Sequence, residues 1–396
     1  MRILTCLLLL VLAGCTRRAA EPLTISSPAG AGALGASFAT AADGAIFLSW
    51  LEPAHDKTWA LKLARFDAAG QRWQAPVVIA QGPDWFVNWA DFPTVTALER
   101  DRLIAVWFVH EPDNEMVYHA EFSTSADGGA TWAAPQKISA ESARTEFTAI
   151  HPLGPTGRPL AAWLDGRERA AGRDHQTLHA RVLAEAGPDV PVDGFVCDCC
   201  QLSFAPLPDG GALLAYRGRT TDEVRDIRLV RYRNGQWEKP RPLHADGWKI
   251  NACPVNGPRL ASRGSAVTAV WFTGADNQPR VQAKHSTDGG ETFGEPLRLD
   301  LGRPQGRVDC LILANGTSVL TWLERANPET GVVGGIYLRT LSGSGQLSAP
   351  RLLAASSPAR ASGFPRLAAL DGRRLLLAYT QDSDPSQVIT QVIPLD

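Results

Sequence analysis

One short pattern returns seven times along the chain: an apolar run that ends on an aromatic residue. The copies occupy residues 45–50, 103–107, 159–163, 212–216, 266–271, 318–322 and 374–379. Their closing aromatics, from Trp50 and Trp107 to Trp322 and Tyr379, stand 51 to 57 residues apart. Before each copy comes a shorter apolar segment, usually with a Gly-containing turn between, as at 208–211 or 314–316. After each comes a strand of alternating polarity, as at 116–122, 227–232 or 281–285. Period-two alternation bounded by turn residues marks β-strands, and no long stretch of 3.6-residue period competes with it. A fourth strand has its own marker. Pro76, Pro135, Pro240, Pro296 and Pro350 each follow Trp73, Trp132, Trp237, Phe293 or Leu347 by three residues. Proline has no N–H to donate, so it suits the start of an exposed edge strand. The third unit departs from this, carrying Pro188 and Pro191 instead.

A repeat of this length matches a four-stranded propeller blade. The seventh unit runs out at Asp396 without an outer strand, whereas residues 21–26 have that strand's form and no other place. The expected fold is therefore all-β: a seven-bladed β-propeller whose N-terminal strand closes the last blade. A six-bladed ring with one irregular unit is the alternative. Composition agrees, since 36 Gly, 28 Pro and only 20% charged residues in 396 suit short strands and tight turns. The formal net charge of −2 lacks the basic footprint of a nucleic-acid binder.

The N-terminus predicts export. Arg2 precedes an apolar run at 4–11, too short to span a membrane, and Leu12-Ala13-Gly14-Cys15 follows. This string resembles the lipobox of bacterial lipoproteins. The resemblance implies a signal peptide at 1–14, lipidation of Cys15, a tether at 15–20 and a propeller at 21–396. Thr16 after the cysteine, rather than Asp, implies the outer membrane, facing the periplasm or the cell surface.

Two turns, at 125–132 and 286–293, read Ser-x-Asp-x-Gly-x-Thr-Trp/Phe. They resemble the Asp-box, or BNR repeat, of the sialidase superfamily. The resemblance gives Ser125, Asp127, Gly129, Trp132, Ser286, Asp288, Gly290 and Phe293 structural roles. The carboxylate accepts turn N–H groups, glycine takes a positive φ, and the aromatic plugs between strands. The family's catalytic set is three arginines, an Asp and a Tyr–Glu pair, and no segment here has its spacing. Arg307, Arg366, Tyr337 and Glu324 are the residues that could stand in for it.

The most distinctive string is Cys197-Asp198-Cys199-Cys200, joined later by Cys253. Counting back seven residues from Leu98, Leu153, Leu207 and Leu260 puts Asp91, Glu146, Cys200 and Cys253 at equivalent positions. Each would enter an innermost strand at the mouth of the central channel. Three chemistries stay open for Cys197, Cys199, Cys200 and Cys253: a structural disulfide, a site for copper or zinc, or a redox-active thiol pair. Arg217, Arg219, Asp226, His244, Asp246 and Lys249 crowd the nearby loops and, with Asp91 and Glu146, form the candidate ligand-binding set. This stretch resembles exported Asp-box proteins labelled sialidase-like. The expected function is a binding or scaffold role for an exported, lipid-anchored propeller, through its cysteine-bearing face, with a carbohydrate, metal or protein as ligand. The alternative is an exo-sialidase-like glycoside hydrolase.

Overall fold

The aromatic-ended runs are the second strands of seven antiparallel sheets. The computed structural model describes residues 20–395 apart from 113, 140, 143, 184 and 186, so the export segment and Cys15 lie outside the described residues. Blade 1 is built from Leu34–Thr40, Ile46–Pro53, Trp59–Asp67 and Val77–Gly82. Blades 2 to 6 repeat the plan, and the first strands of blades 2 to 7 begin at Thr94, Thr145, Ser203, Arg259, Pro304 and Arg366. Five of the outer strands begin on the residue after the marker proline, at Val77, Gln136, Arg241, Leu297 and Arg351. Blade 3 lacks the marker and instead uses Val190–Val196. Among the described residues the helices are one four-residue turn, Arg167–Ala170, and two short 3-10 turns.

Seven blades, not six, make the ring. Its closure is an antiparallel pairing of Leu23–Ile25 with Gln387–Pro394, in which Thr24 faces Gln391. The first strands of all seven sheets meet around a central cavity of about 400 Å³, lined in turn by Ser37, Val95, Ile150, Phe204, Leu260, Asp309 and Leu367.

Between the blades lies the core. Phe47, Leu61 and Leu63 of blade 1 pack on Leu103, Ala105 and Trp107 of blade 2, and Leu213 of blade 4 packs with Trp271 of blade 5. Trp50, Trp107, Trp163, Trp271 and Trp322 are each at most 1% exposed. Truncating one such indole costs about 3–5 kcal/mol through lost contact and the cavity left behind. Burial obliges the indole N–H to find an acceptor. Trp50 donates to Glu52 at 2.9 Å, Trp163 to Asp165 at 2.8 Å and Trp322 to Glu324 at 2.7 Å. Glu52 and Glu324 also take N–H groups from the connector that leads into their own blade, and Asp165 takes the Ser142 hydroxyl from its own. Gly30 donates to Glu52, and Leu301 and Arg303 donate to Glu324.

Antiparallel order fixes which loops share a face. Turns between first and second, and between third and fourth, strands lie on one side; the remaining hairpins and the inter-blade connectors lie on the other. The turns at 125–132 and 286–293 join third and fourth strands. In the first, Asp127 accepts from the Ser125 hydroxyl at 2.8 Å and from the Thr131 amide at 2.9 Å, while Trp132 donates to the Gly129 carbonyl at 3.0 Å. Asp288 holds the second in the same way. These bonds favour the charged carboxylate and hold Asp127 down to about 2, the Thr131 hydroxyl contributing most. Cys197, Cys199, Cys200 and Cys253 are on inter-blade connectors, on the opposite face, and Cys310 lies within the first strand of blade 6.

Candidate functional site on the cysteine-bearing face

Three sulfur atoms meet where blade 3 hands over to blade 4. Cys197 follows the outer strand Val190–Val196, and a turn at Asp198 and Cys199 folds the chain back before Ser203–Pro206. The turn sets Cys197 Sγ 3.8 Å from Cys200 Sγ and 4.0 Å from Cys199 Sγ. All three residues are buried, and the Cys253 thiol, on the next connector, interacts with Cys199. The Arg225 guanidinium donates to Cys197 Sγ at 3.3 Å and is itself held by Glu223 at 2.7 Å. Hydrogen bonds from Cys199 and Cys200, and then the cations Arg217 and Arg225, favour the Cys197 thiolate; Cys199 is pushed up in return, and burial pushes Cys200 up. Cys253 is lowered to about 7, chiefly by Cys199.

The polar loop residues lie on the hairpin and connector that follow the second and outer strands of blade 4, on the same face. Arg217 is 1% exposed and donates to the carbonyls of Asn256, Arg225 and Phe272, pinning three loops together. Arg219 pairs with Glu223 at 2.6 Å, and with Asp174 and Asp198. Asp226 accepts from the Gly247 and Trp248 amides, and Asp246 accepts from Trp271 and Gln282. His244 stands beside the Trp271 ring, and Lys249 is exposed. Every one of these carboxylates already has donors within the protein.

Asp91 lines the central cavity, whereas Glu146, in the first strand of blade 3, does not. Asp91 accepts from Tyr118 at 2.8 Å and from the Phe147 amide at 2.9 Å. Burial, with the Glu146 charge adding, pushes its carboxyl up to about 8. Glu146 accepts from Gln176 at 2.9 Å, and burial pushes it up to about 7.

The arginines divide between two cavities. Arg366 lines the central one, is stacked on Phe92 and Phe364, and is pushed down to about 9 by burial. Arg307 lies in a second cavity, of about 620 Å³, on the cysteine-bearing face. Its backbone is forced to a φ of 53°, held there by the Asn256 side chain, which accepts its amide at 2.8 Å. Such a backbone costs energy and marks a position where placement matters. The guanidinium is stacked 4.7 Å from the Trp89 ring centroid and donates to the Ala359 and Gly363 carbonyls. Arg303, Arg325 and Arg360, all exposed, ring the same cavity with Cys253 and Trp248. Burial first, then the charges of Arg325 and Arg360, lowers Arg307 to about 10. No Asp or Glu lines this cavity among the described residues.

Tyr337 and Glu324 lie elsewhere. The Tyr337 hydroxyl donates to the Val333 carbonyl at 2.9 Å, its ring is stacked on Trp322, and Glu324 is 1% exposed under its three donors. Neither lines either cavity. Sequence reasoning did not single out Arg303, Arg325 or Arg360. The one available signal was that each stands on a connector or hairpin of the face that the cysteines mark.

No protein-family model matches the chain, and no curated protein matches it in sequence. Among solved structures it is similar to the lectin BP39L of Burkholderia pseudomallei, with a TM-score of 0.63 and 13% identity over 92% of this chain and 96% of that one. It is similar to a protein of unknown function from Dyadobacter fermentans, with a TM-score of 0.56 and 16% identity over 96% and 99%. A third likeness is to the alpha-L-arabinofuranosidase Arb93A of Fusarium graminearum, with a TM-score of 0.54 and 13% identity over 95% and 98%. Identities this low establish the fold: the chain is a β-propeller.

Proposed function

We propose that the chain is a non-catalytic binding propeller that takes a small anionic ligand, an acidic sugar by class, in the second cavity. One observation carries the reading: four arginines, three of them exposed, line a cavity of about 620 Å³ with no carboxylate in its lining among the described residues. Guanidinium groups recognise carboxylate, sulfate or phosphate by paired charge-assisted bonds. Most glycoside hydrolases place a pair of carboxyl groups beside the substrate, and the described lining of this cavity holds none. The lectin and arabinofuranosidase likenesses support a sugar as the ligand's body. The turns at 125–132 and 286–293 support membership of the Asp-box, sialidase-like group, and residues 12–15 support export with a lipid anchor on Cys15 in the outer membrane.

Calorimetry with glucuronate and glucose tests the reading. Binding of glucuronate that weakens with added salt, and no binding of glucose, is expected. Equal binding of both, or of neither, removes it.

A glycoside hydrolase is the second reading, and it rests on Asp91 and Glu146, two neighbouring carboxyls raised to about 8 and 7 by burial. A carboxyl raised by burial beside a second carboxyl is how glycosidases keep a proton donor at neutral pH. Release of fluorophore from a sialoside or arabinofuranoside, abolished by Glu146→Gln, would establish it. Turnover indistinguishable from buffer dismisses it.

A further inference from the structure

We propose that Cys197, Cys199, Cys200 and Cys253 form a thiolate site for one soft, closed-shell cation, zinc(II) or copper(I). The spacing of the sulfurs is the first ground. Zinc–thiolate bonds are about 2.3 Å long, so the edge of a thiolate tetrahedron is about 3.8 Å. Cys197 and Cys200 stand 3.8 Å apart, Cys197 and Cys199 4.0 Å, and all three sulfurs lie within 4.8 Å of one another. A disulfide would require a separation of about 2.05 Å. Although the string reads C-x-C-C, two residues separate its first and last cysteines, and the turn between them brings both sulfurs together.

The second ground is the surroundings. Arg225 is 3% exposed and aims one N–H at Cys197 Sγ from 3.3 Å, while two of its bonds go to Glu223. A buried cation oriented on sulfur suits an anionic ligand atom, and such outer partners orient and tune metal ligands. It gives little to a neutral thiol or a disulfide. Four thiolates and a zinc ion would carry a net charge of −2, and the buried cations Arg225 and Arg217 stand beside them to offset it.

Cys253 is the open side. It is the exposed member of the four and lines the 620 Å³ cavity, so an ion enters and leaves there without unpacking the buried three. The proposal is independent of what the arginines bind, because its ligands are sulfur and theirs are guanidinium.

The test uses the full chain purified with its thiols reduced. Zinc(II) and anaerobic copper(I) are each titrated against a chromophoric chelator, cobalt(II) serves as a visible probe of tetrahedral thiolate coordination, and alkylation is mapped by peptide mass. We expect one ion per chain, with protection of Cys197, Cys199, Cys200 and Cys253 but unchanged labelling of Cys310. The tighter binder of the two names the metal. Cys253→Ser, at the exposed position, should keep the melting temperature yet lose affinity at least tenfold. Arg225→Met should lose 10- to 100-fold, the usual effect of removing such a partner. Absence of stoichiometric binding by either ion overturns the proposal. So does recovery of a disulfide-linked peptide among the four cysteines from the exported protein.

Discussion

Asp91 shows how a single side chain can set a pH response. Its carboxyl is buried and stays protonated to about 8, whereas in an unfolded chain it ionises near its ordinary value of 3.8. The folded state therefore binds a proton that the unfolded state releases. Stability from this group is fully present below about pH 4 and is lost as pH rises toward 8, by at most about 1.4 kcal/mol per pH unit. In Asp91→Asn, the amide oxygen still accepts from Tyr118 and the Phe147 amide. The melting temperature of the wild type should fall relative to that variant between pH 5 and pH 8, as followed by circular dichroism. Parallel melting curves across that range would show that the carboxyl is ionised in the fold. The exposed Asp127 works in the opposite direction: held down to about 2, it stabilises above pH 4 and ceases to do so as pH falls through 2.

At the scale of the element, the device that sequence patterning did not isolate is the aromatic strand's closing step. Trp50, Trp163 and Trp322 are each followed two residues later by an acid that takes the indole N–H. The outer-strand prolines and turn glycines were legible because each acts locally on its own backbone. The tryptophan–acid step was not, because the acid's other partners arrive from a connector about 20 residues earlier in sequence, as Leu301 and Arg303 do at Glu324. Removing that acceptor leaves buried N–H groups unpaired. Glu324→Ala should therefore destabilise the protein by about 3 kcal/mol in chemical denaturation. It should also weaken ligand binding, since the same connector carries Arg303 and leads into the strand that carries Arg307. A loss of stability without any loss of affinity would separate the connector from the cavity.

The whole molecule depends on closure. Seven similar units announced the ring, and residues 21–26 could be assigned because one unit lacked a strand. The cavity could not be read the same way. Its arginines stand at 303, 307, 325 and 360, on one strand and several loops with no fixed spacing, and only the assembled ring brings them to one cavity. The cysteine string was visible as a string, but its convergence depends on a turn and on Arg225 from a neighbouring hairpin. Deleting residues 20–26 should expose the edge of Gln387–Pro394, and exposed edges invite pairing with other chains. A lower melting temperature and concentration-dependent aggregation are expected by calorimetry and light scattering. A deletion that melts like the intact chain would mean the three paired residues seal nothing.

The central claim, that the arginine-lined cavity binds an anion, is tested most directly through the tryptophans that line it. Indole fluorescence from Trp89 and Trp248 is followed as glucuronate is added to the wild type and to an Arg325→Met, Arg360→Met double variant. Both substituted positions are exposed, so the fold should survive their change. A saturable response in the wild type that is at least tenfold weaker in the double variant is the predicted result. A response of equal affinity in both proteins would contradict the account.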